Sequence, residues 1–165
     1  EETASLATWT KWGKAVRQLE RLGCLTAVAI EGPVDGLGLH ALLASDLVVA
    51  APGSSISCTD LGRGHLPDMT VFRLAKYVGL GTAKQLVLGH RPLTSGDALR
   101  LGLATEVAEQ PAAVAAQLVE RLGTSAGPSW LGWVGDRVAA VRLRTARRRW
   151  RDSRNGFLVI KATNG

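Results

Sequence analysis

The chain has 165 residues, 46% of them hydrophobic and 21% charged, and a formal net charge of +6. This length holds one domain with a sizeable buried core, and the composition excludes the charge-rich, apolar-poor profile of a disordered chain. The most hydrophobic stretch, Leu39–Ala51, is broken by His40, Ser45 and Asp46, so it falls short of the roughly 18 apolar residues that a membrane-spanning helix needs.

No basic region followed by an apolar block precedes Thr8, which argues against a targeting signal. Cys24 and Cys58 are the only cysteines, too few and too far apart for a disulfide framework or a metal knuckle. A protein of the reducing cytoplasm, without metal or membrane, is therefore expected. Eight arginines lie between Arg137 and Arg154 while the middle of the chain is nearly balanced, so the basic character belongs to the tail.

Leu6, Trp9, Trp12, Val16, Leu19 and Leu22 recur at spacings of three and four, which predicts an amphipathic helix ended by Gly23 and places both tryptophans on its apolar face. The apolar run Leu25–Ile30 reads as a strand buried on both faces, and Glu31-Gly32-Pro33 as its exit loop. Leu39–Ala44 suits a short buried helix, followed by a strand over 46–51 that Pro52-Gly53 closes. A third strand fits Ser55–Cys58, and Thr59–Pro67, with Gly62, Gly64 and Pro67, reads as a loop. Asp68 is a candidate cap for a helix with the apolar face Met69, Phe72, Leu74 and Val78. Gly79-Leu80-Gly81-Thr82 ends that helix and opens another over 83–88. Thr94, with Asp97 three residues on, predicts the start of a helix through Leu101, and Thr105–Val107 a short extended piece. Pro111 opens an alanine-rich helix to Leu122, after which Gly123–Pro128 reads as a linker and Asp136–Arg151 as a further helix. Residues 1–122 thus form the expected core and 123–165 a C-terminal helical region with a basic tail. Alternating strands and helices make this a layered α/β domain.

The stretch from Ala29 to Asp46 is a strand, a tight turn containing Gly36 and Gly38, and a helix. That geometry aims free N–H groups of the first helical turn, with the positive end of the helix dipole, at a point where an oxyanion can sit. Glycine at 36 and 38 allows the backbone to approach a ligand closely. Similar units also serve plain packing in α/β proteins.

Taken with Leu86–Val107, whose Gly89 precedes a small helix and a Gly102-Leu-Ala strand, this stretch resembles the crotonase superfamily over about residues 9 to 122. The resemblance implies a crotonase-like layered fold of ββα repeats whose N-terminal part precedes Glu1. It implies a thioester carbonyl held by two backbone N–H groups, one of them on Leu37, with a coenzyme A (CoA) thioester as substrate and no separate cofactor. The second donor falls, in the family, before the first helix. Val34, Gly36, Gly38 and His65 are the expected substrate contacts.

Enoyl-CoA hydratases place two glutamates across the substrate, where this sequence has His40 and Asp60. Both remain ionisable, and the macrodipole at the head of the helix disfavours an imidazolium, so His40 is expected as a neutral base with Asp60 as acid or orienting carboxylate. A polar niche filled by His40 and a loop capped by Asp60 is the plainer reading. Glu31 and Asp35 flank the turn, either as substrate contacts or, the plainer reading, as solvated loop carboxylates, and Cys58 reads as a small core residue rather than a nucleophile.

The segments 9–22 and 64–69 are similar to the accessory hydratase-like proteins of dihydroxyphenylglycine biosynthesis in glycopeptide-antibiotic producers, which implies a polyketide synthase partner. Two functions stay open: an acyl-CoA lyase or isomerase, and a non-catalytic crotonase-fold protein that binds a partner enzyme. The family implies a homotrimer or hexamer, with Trp130, Trp133, Val138, Val141 and Trp150 as interface material. Arg142, Arg144, Arg147, Arg148, Arg149 and Arg151 form either a solvated helix face or a contact to the phosphates of CoA. Without a stacking platform, nucleic acid is not expected.

Overall fold

The computed structural model describes residues 6–20, 25–64, 69–125, 148–151 and 157–161. Helix α1 (Leu6–Glu20) precedes two ββα units in succession. The first contains β1 (Thr26–Ile30), β2 (Pro33–Val34) and α2 (Leu37–Ala44); the second contains β3 (Leu47–Ala50), β4 (Ser55–Ile56) and α3 (Thr70–Gly89). Then come β5 (Leu93–Thr94), α4 (Ser95–Arg100), β6 (Glu106–Val107), α5 (Pro111–Ser125), β7 (Arg148–Arg151) and β8 (Phe157–Lys161).

The first strands of the two units pair in parallel, Val28 opposite Val48, within a five-stranded sheet of order β6-β3-β1-β8-β7. The second strands also pair in parallel, Val34 opposite Ile56, within a smaller sheet of order β2-β4-β5. The fold is thus the mixed α/β crotonase-like layering expected from the sequence.

Strand periodicity explains the layers. Successive side chains of β1 point to opposite faces of the sheet. Val28 and Ile30 join Leu39, Leu42, Leu74 and Leu86 in the larger core, while Ala27 and Ala29 face Ala115, Leu118 and Val119 of α5. β3 repeats the pattern, Val48 and Ala50 to one side and Val49 to the other. Buried on both faces, these strands read in sequence as unbroken apolar runs. Their relative position is locked at the start of each strand by Asp46. Its Oδ2 accepts the Thr26 N–H at 2.8 Å and the Thr26 hydroxyl at 2.7 Å, and its own N–H returns a bond to Thr26 Oγ1 at 3.0 Å.

Three local expectations are corrected. The N-cap of α3 is Met69, without a side-chain bond, while Asp68 lies outside the described residues. The helix buries Thr70, Arg73, Leu74 and Val78, so Met69 and Phe72 are exposed; Lys76 Nζ sits 4.2 Å from the centre of the Phe72 ring, a cation–π contact that shields it. The break expected at Gly79 is present, its φ of 77° and ψ of 159° being non-helical and dividing this stretch into two helical pieces. Finally, residues 148–151, the end of the expected C-terminal helix, form strand β7, paired antiparallel with β8, which in turn pairs antiparallel with β1. Trp130, Trp133, Val138, Val141, Arg142, Arg144 and Arg147 lie outside the described residues. Among the described residues no helix is long and apolar enough to cross a membrane.

Candidate active site

The smaller sheet sets two chain segments side by side. Ser55 N–H donates to the Gly32 carbonyl at 3.2 Å and Ser57 N–H to the Val34 carbonyl at 2.9 Å. The next alternate donor, Thr59 N–H, meets a side chain instead, Asp35 Oδ1 at 3.0 Å. The reason is the turn at Gly36, whose φ of 52° and ψ of −123° swing the chain into α2 and commit its carbonyl to the His40 N–H at 3.2 Å. Gly38 N–H donates to the Asp35 carbonyl at 3.1 Å, and Gly36 N–H to Asp35 Oδ1 at 2.7 Å. Among the described residues, no protein acceptor takes the Leu37 N–H at the head of the helix. A donor so placed, at the positive end of the helix dipole, suits an anionic oxygen.

Asp60, 3% exposed, ends the neighbouring segment with its carboxylate against this turn: Oδ1 stands 3.8 Å from the point a Cβ on Gly36 would occupy. Its Oδ2 is 4.0 Å from the Cys58 sulfur. Burial, followed by the negative charges of Asp60 and Asp35, pushes the Cys58 thiol up to about 11, so at neutral pH it is a protonated, weakly nucleophilic core group. His40 is 2% exposed on the first turn of α2. A buried imidazole and an uncommitted N–H on the first turn of α2, and a buried carboxylate against Gly36, thus belong to the two segments that leave β2 and β4.

Residues 3–129 match the family described as Enoyl-CoA hydratase/isomerase. The chain belongs to that family. It is 37% identical over 111 residues to an enoyl-CoA hydratase of Amycolatopsis orientalis, covering 67% of this chain and 51% of that protein. It is 31% identical over 97 residues to the short-chain-enoyl-CoA hydratase of Clostridium acetobutylicum, covering 58% and 37% respectively. A solved enoyl-CoA hydratase/isomerase from Cupriavidus metallidurans superposes with a TM-score of 0.68 at 29% identity, over 86% of this chain and 56% of that one. The chain spans about half or less of the length of these curated relatives.

As a member of the enoyl-CoA hydratase/isomerase family, the chain carries His40 and Asp60 where the resemblance places glutamates. Of the expected substrate contacts, Val34 is wholly buried in the larger core, Gly38 is buried, Gly36 is partly exposed, and His65 lies outside the described residues. Glu31 is exposed, in line with a solvated loop carboxylate.

Two neighbours of the site escaped the sequence reading. Asp35 is a bridging carboxylate rather than a solvated one, receiving Gly36 N–H, Thr59 N–H and the Thr59 hydroxyl. Its partner is 24 residues away, so no local pattern signals it. His90 is the C-cap of α3 in the left-handed region, φ 51°, with Nδ1 3.4 Å from the Cys58 carbonyl and its ring against Gly62. The only local signal is its place directly after Gly89 at a helix end.

Proposed function

We propose that the protein acts on acyl-CoA thioesters as a crotonase-type lyase or isomerase, with the Leu37 N–H as oxyanion donor and His40 with Asp60 as the acid/base pair. The observation that carries this reading is the buried Asp60 carboxylate lying against Gly36, beside the uncommitted Leu37 N–H. In a hydration, the oxygen of water bonds to the β-carbon of the enoyl thioester while the C=C electron pair moves toward the thioester oxygen. The Leu37 N–H donates to that oxygen as its negative charge grows. One of the pair takes the proton that water gives up, and the other delivers a proton to the α-carbon as the enolate collapses. Dehydration runs the same steps backwards.

The similarity of segments 9–22 and 64–69 to the accessory proteins of dihydroxyphenylglycine biosynthesis supports a narrower reading, service beside a polyketide synthase in secondary metabolism. A cytoplasmic homotrimer or hexamer belongs to the same proposal and is supported by membership of the family.

The test is turnover of a short-chain enoyl-CoA, read as loss of enoyl-thioester absorbance. His40→Gln and Asp60→Asn should each lower kcat by about two to four orders of magnitude. Unchanged turnover in both removes the His40/Asp60 assignment, and no turnover in the parent chain favours the non-catalytic reading, in which the family fold serves as a binding surface for a partner enzyme.

A further inference from the structure

We propose that Asp35 is a positioning residue, which sets the spacing between the Leu37 N–H and the Asp60 carboxylate. The proposal rests on the acid/base reading of the site given above. Alternate N–H groups of the 55–59 segment point at the 32–35 segment, Ser55 to Gly32 and Ser57 to Val34. A third backbone rung would need the Gly36 carbonyl, which the helix has already taken for His40. The Asp35 carboxylate fills that place: Oδ1 receives Thr59 N–H at 3.0 Å, and Oδ2 receives the Thr59 hydroxyl.

The same carboxylate also grips the turn. Oδ1 accepts the Gly36 N–H at 2.7 Å, and the Asp35 carbonyl accepts that of Gly38. Leu37 is therefore bracketed by two residues tied to Asp35, and Asp60 is the direct neighbour of a third, Thr59. Charge-assisted bonds of this kind hold their partners in a narrower geometry than neutral ones. The placement of both groups along the chain thus passes through one side chain that itself need not touch substrate.

A purely structural staple would lower stability and leave turnover per folded molecule alone. Three variants of the full chain separate the two roles. Asp35→Ala removes every bond, Asp35→Asn keeps one acceptor oxygen, and Thr59→Val removes only the hydroxyl. The expected result is a kcat lowered by about 100-fold in Asp35→Ala, with a milder loss in Asp35→Asn and in Thr59→Val, and KM changed by less than about threefold. Each kcat is referred to the folded fraction measured by circular dichroism. Because Thr59→Val acts on the same bond, adding it to Asp35→Ala should lower kcat no further.

A kcat of Asp35→Ala within twofold of the parent, or full additivity in the double variant, overturns the proposal. Asp60→Asn in the same assay shows which idea has failed. Turnover lost in Asp60→Asn and kept in Asp35→Ala removes the positioning role alone; turnover kept in both removes the acid/base reading and the positioning role with it.

Discussion

Asp60 rests its buried carboxylate on the α-carbon of Gly36, 3.8 Å from the place where any other residue would carry a Cβ. That distance is an ordinary contact, so space alone does not dictate glycine. The backbone does, because φ 52° with ψ −123° is a conformation that an L side chain enters at about 1–3 kcal/mol. Gly36→Ala should therefore fold with stability reduced by roughly that amount. It should also lose about tenfold or more in kcat, since relaxing φ turns the Leu37 N–H away from the Asp60 side of the site. Denaturant unfolding and turnover on one preparation check both halves.

The alkaline limb of stability should carry the signature of Cys58. Its folded value of about 11 lies above the ordinary 9.0, chiefly through burial, so the folded state holds a proton that the unfolded chain gives up first. The resulting stabilisation is complete below pH 9 and is lost as pH rises toward 11, by about 2–3 kcal/mol across that window. Urea unfolding at a series of pH values should show a shallower decline between pH 9 and 11 for Cys58→Ala than for the parent. Equal slopes would contradict the assignment. The raised thiol should also resist iodoacetamide at pH 7 in the folded protein.

The start of α4 offers a control remote from the Gly36 turn. Thr94 Oγ1 accepts the Asp97 N–H at 3.1 Å, and Asp97 Oδ2 receives the Thr94 hydroxyl and N–H in return. These bonds, the hydroxyl first, hold the Asp97 carboxyl below its usual range, so their stabilisation is present above pH 3.8 and fades as pH falls through the lowered value. Thr94→Ala should lower the thermal midpoint by roughly 2–4 °C at pH 7, with the deficit shrinking in acid, and Thr94→Ser should restore most of it. Differential scanning calorimetry at pH 7 and pH 3 measures the effect.

That capping box was legible because cap and partner lie three residues apart. The strands β1 and β3 were legible for a related reason: burial on both faces leaves an unbroken apolar run. The strand expected at 55–58 is present as β4, whereas β2 and β5, two residues each, are too short for any period, and only the chain pairing across them defines them. Met69 and Phe72 misled because an apolar residue on a surface helix reports its chemistry and not its face. In the tail, arginines spaced among Val, Leu and Trp satisfy a helical pattern, yet residues 148–151 form an edge strand, where charged residues are also at home.

The site divides the same way. Leu37, His40 and the glycines sit in one strand-turn-helix segment, and their grouping follows from the turn. The link from Asp35 to Thr59 joins segments 24 residues apart, and the carboxylate is there because the helix has consumed a carbonyl that the ladder needed. Nothing in the local sequence around Asp35 carries that information.

The attachment of α1 to the rest of the core rests in part on one ion pair. Arg73 Nε lies 2.7 Å from Glu20 Oε1, and Nη2 lies 3.0 Å from Oε2, the two-pronged geometry that guanidinium and carboxylate favour. The Arg73 side chain is 10% exposed and that of Glu20 28%, so removing the acid strands a nearly buried cation, while removing the base leaves a carboxylate that water still reaches. The two losses should differ. Glu20→Ala should reduce stability by about 2–3 kcal/mol, below the 3–5 kcal/mol of a fully buried pair because of the exposure at Glu20. Arg73→Met, which replaces the charge by an apolar chain of similar length among Leu74 and its neighbours, should lose about 1 kcal/mol less. Urea midpoints of the two single variants and the double variant give the comparison. If Glu20→Ala proves the milder of the two single changes, the pair is screened as a surface bridge is, and apolar packing such as that of Trp12 against the core contributes more to holding α1 than the pair does.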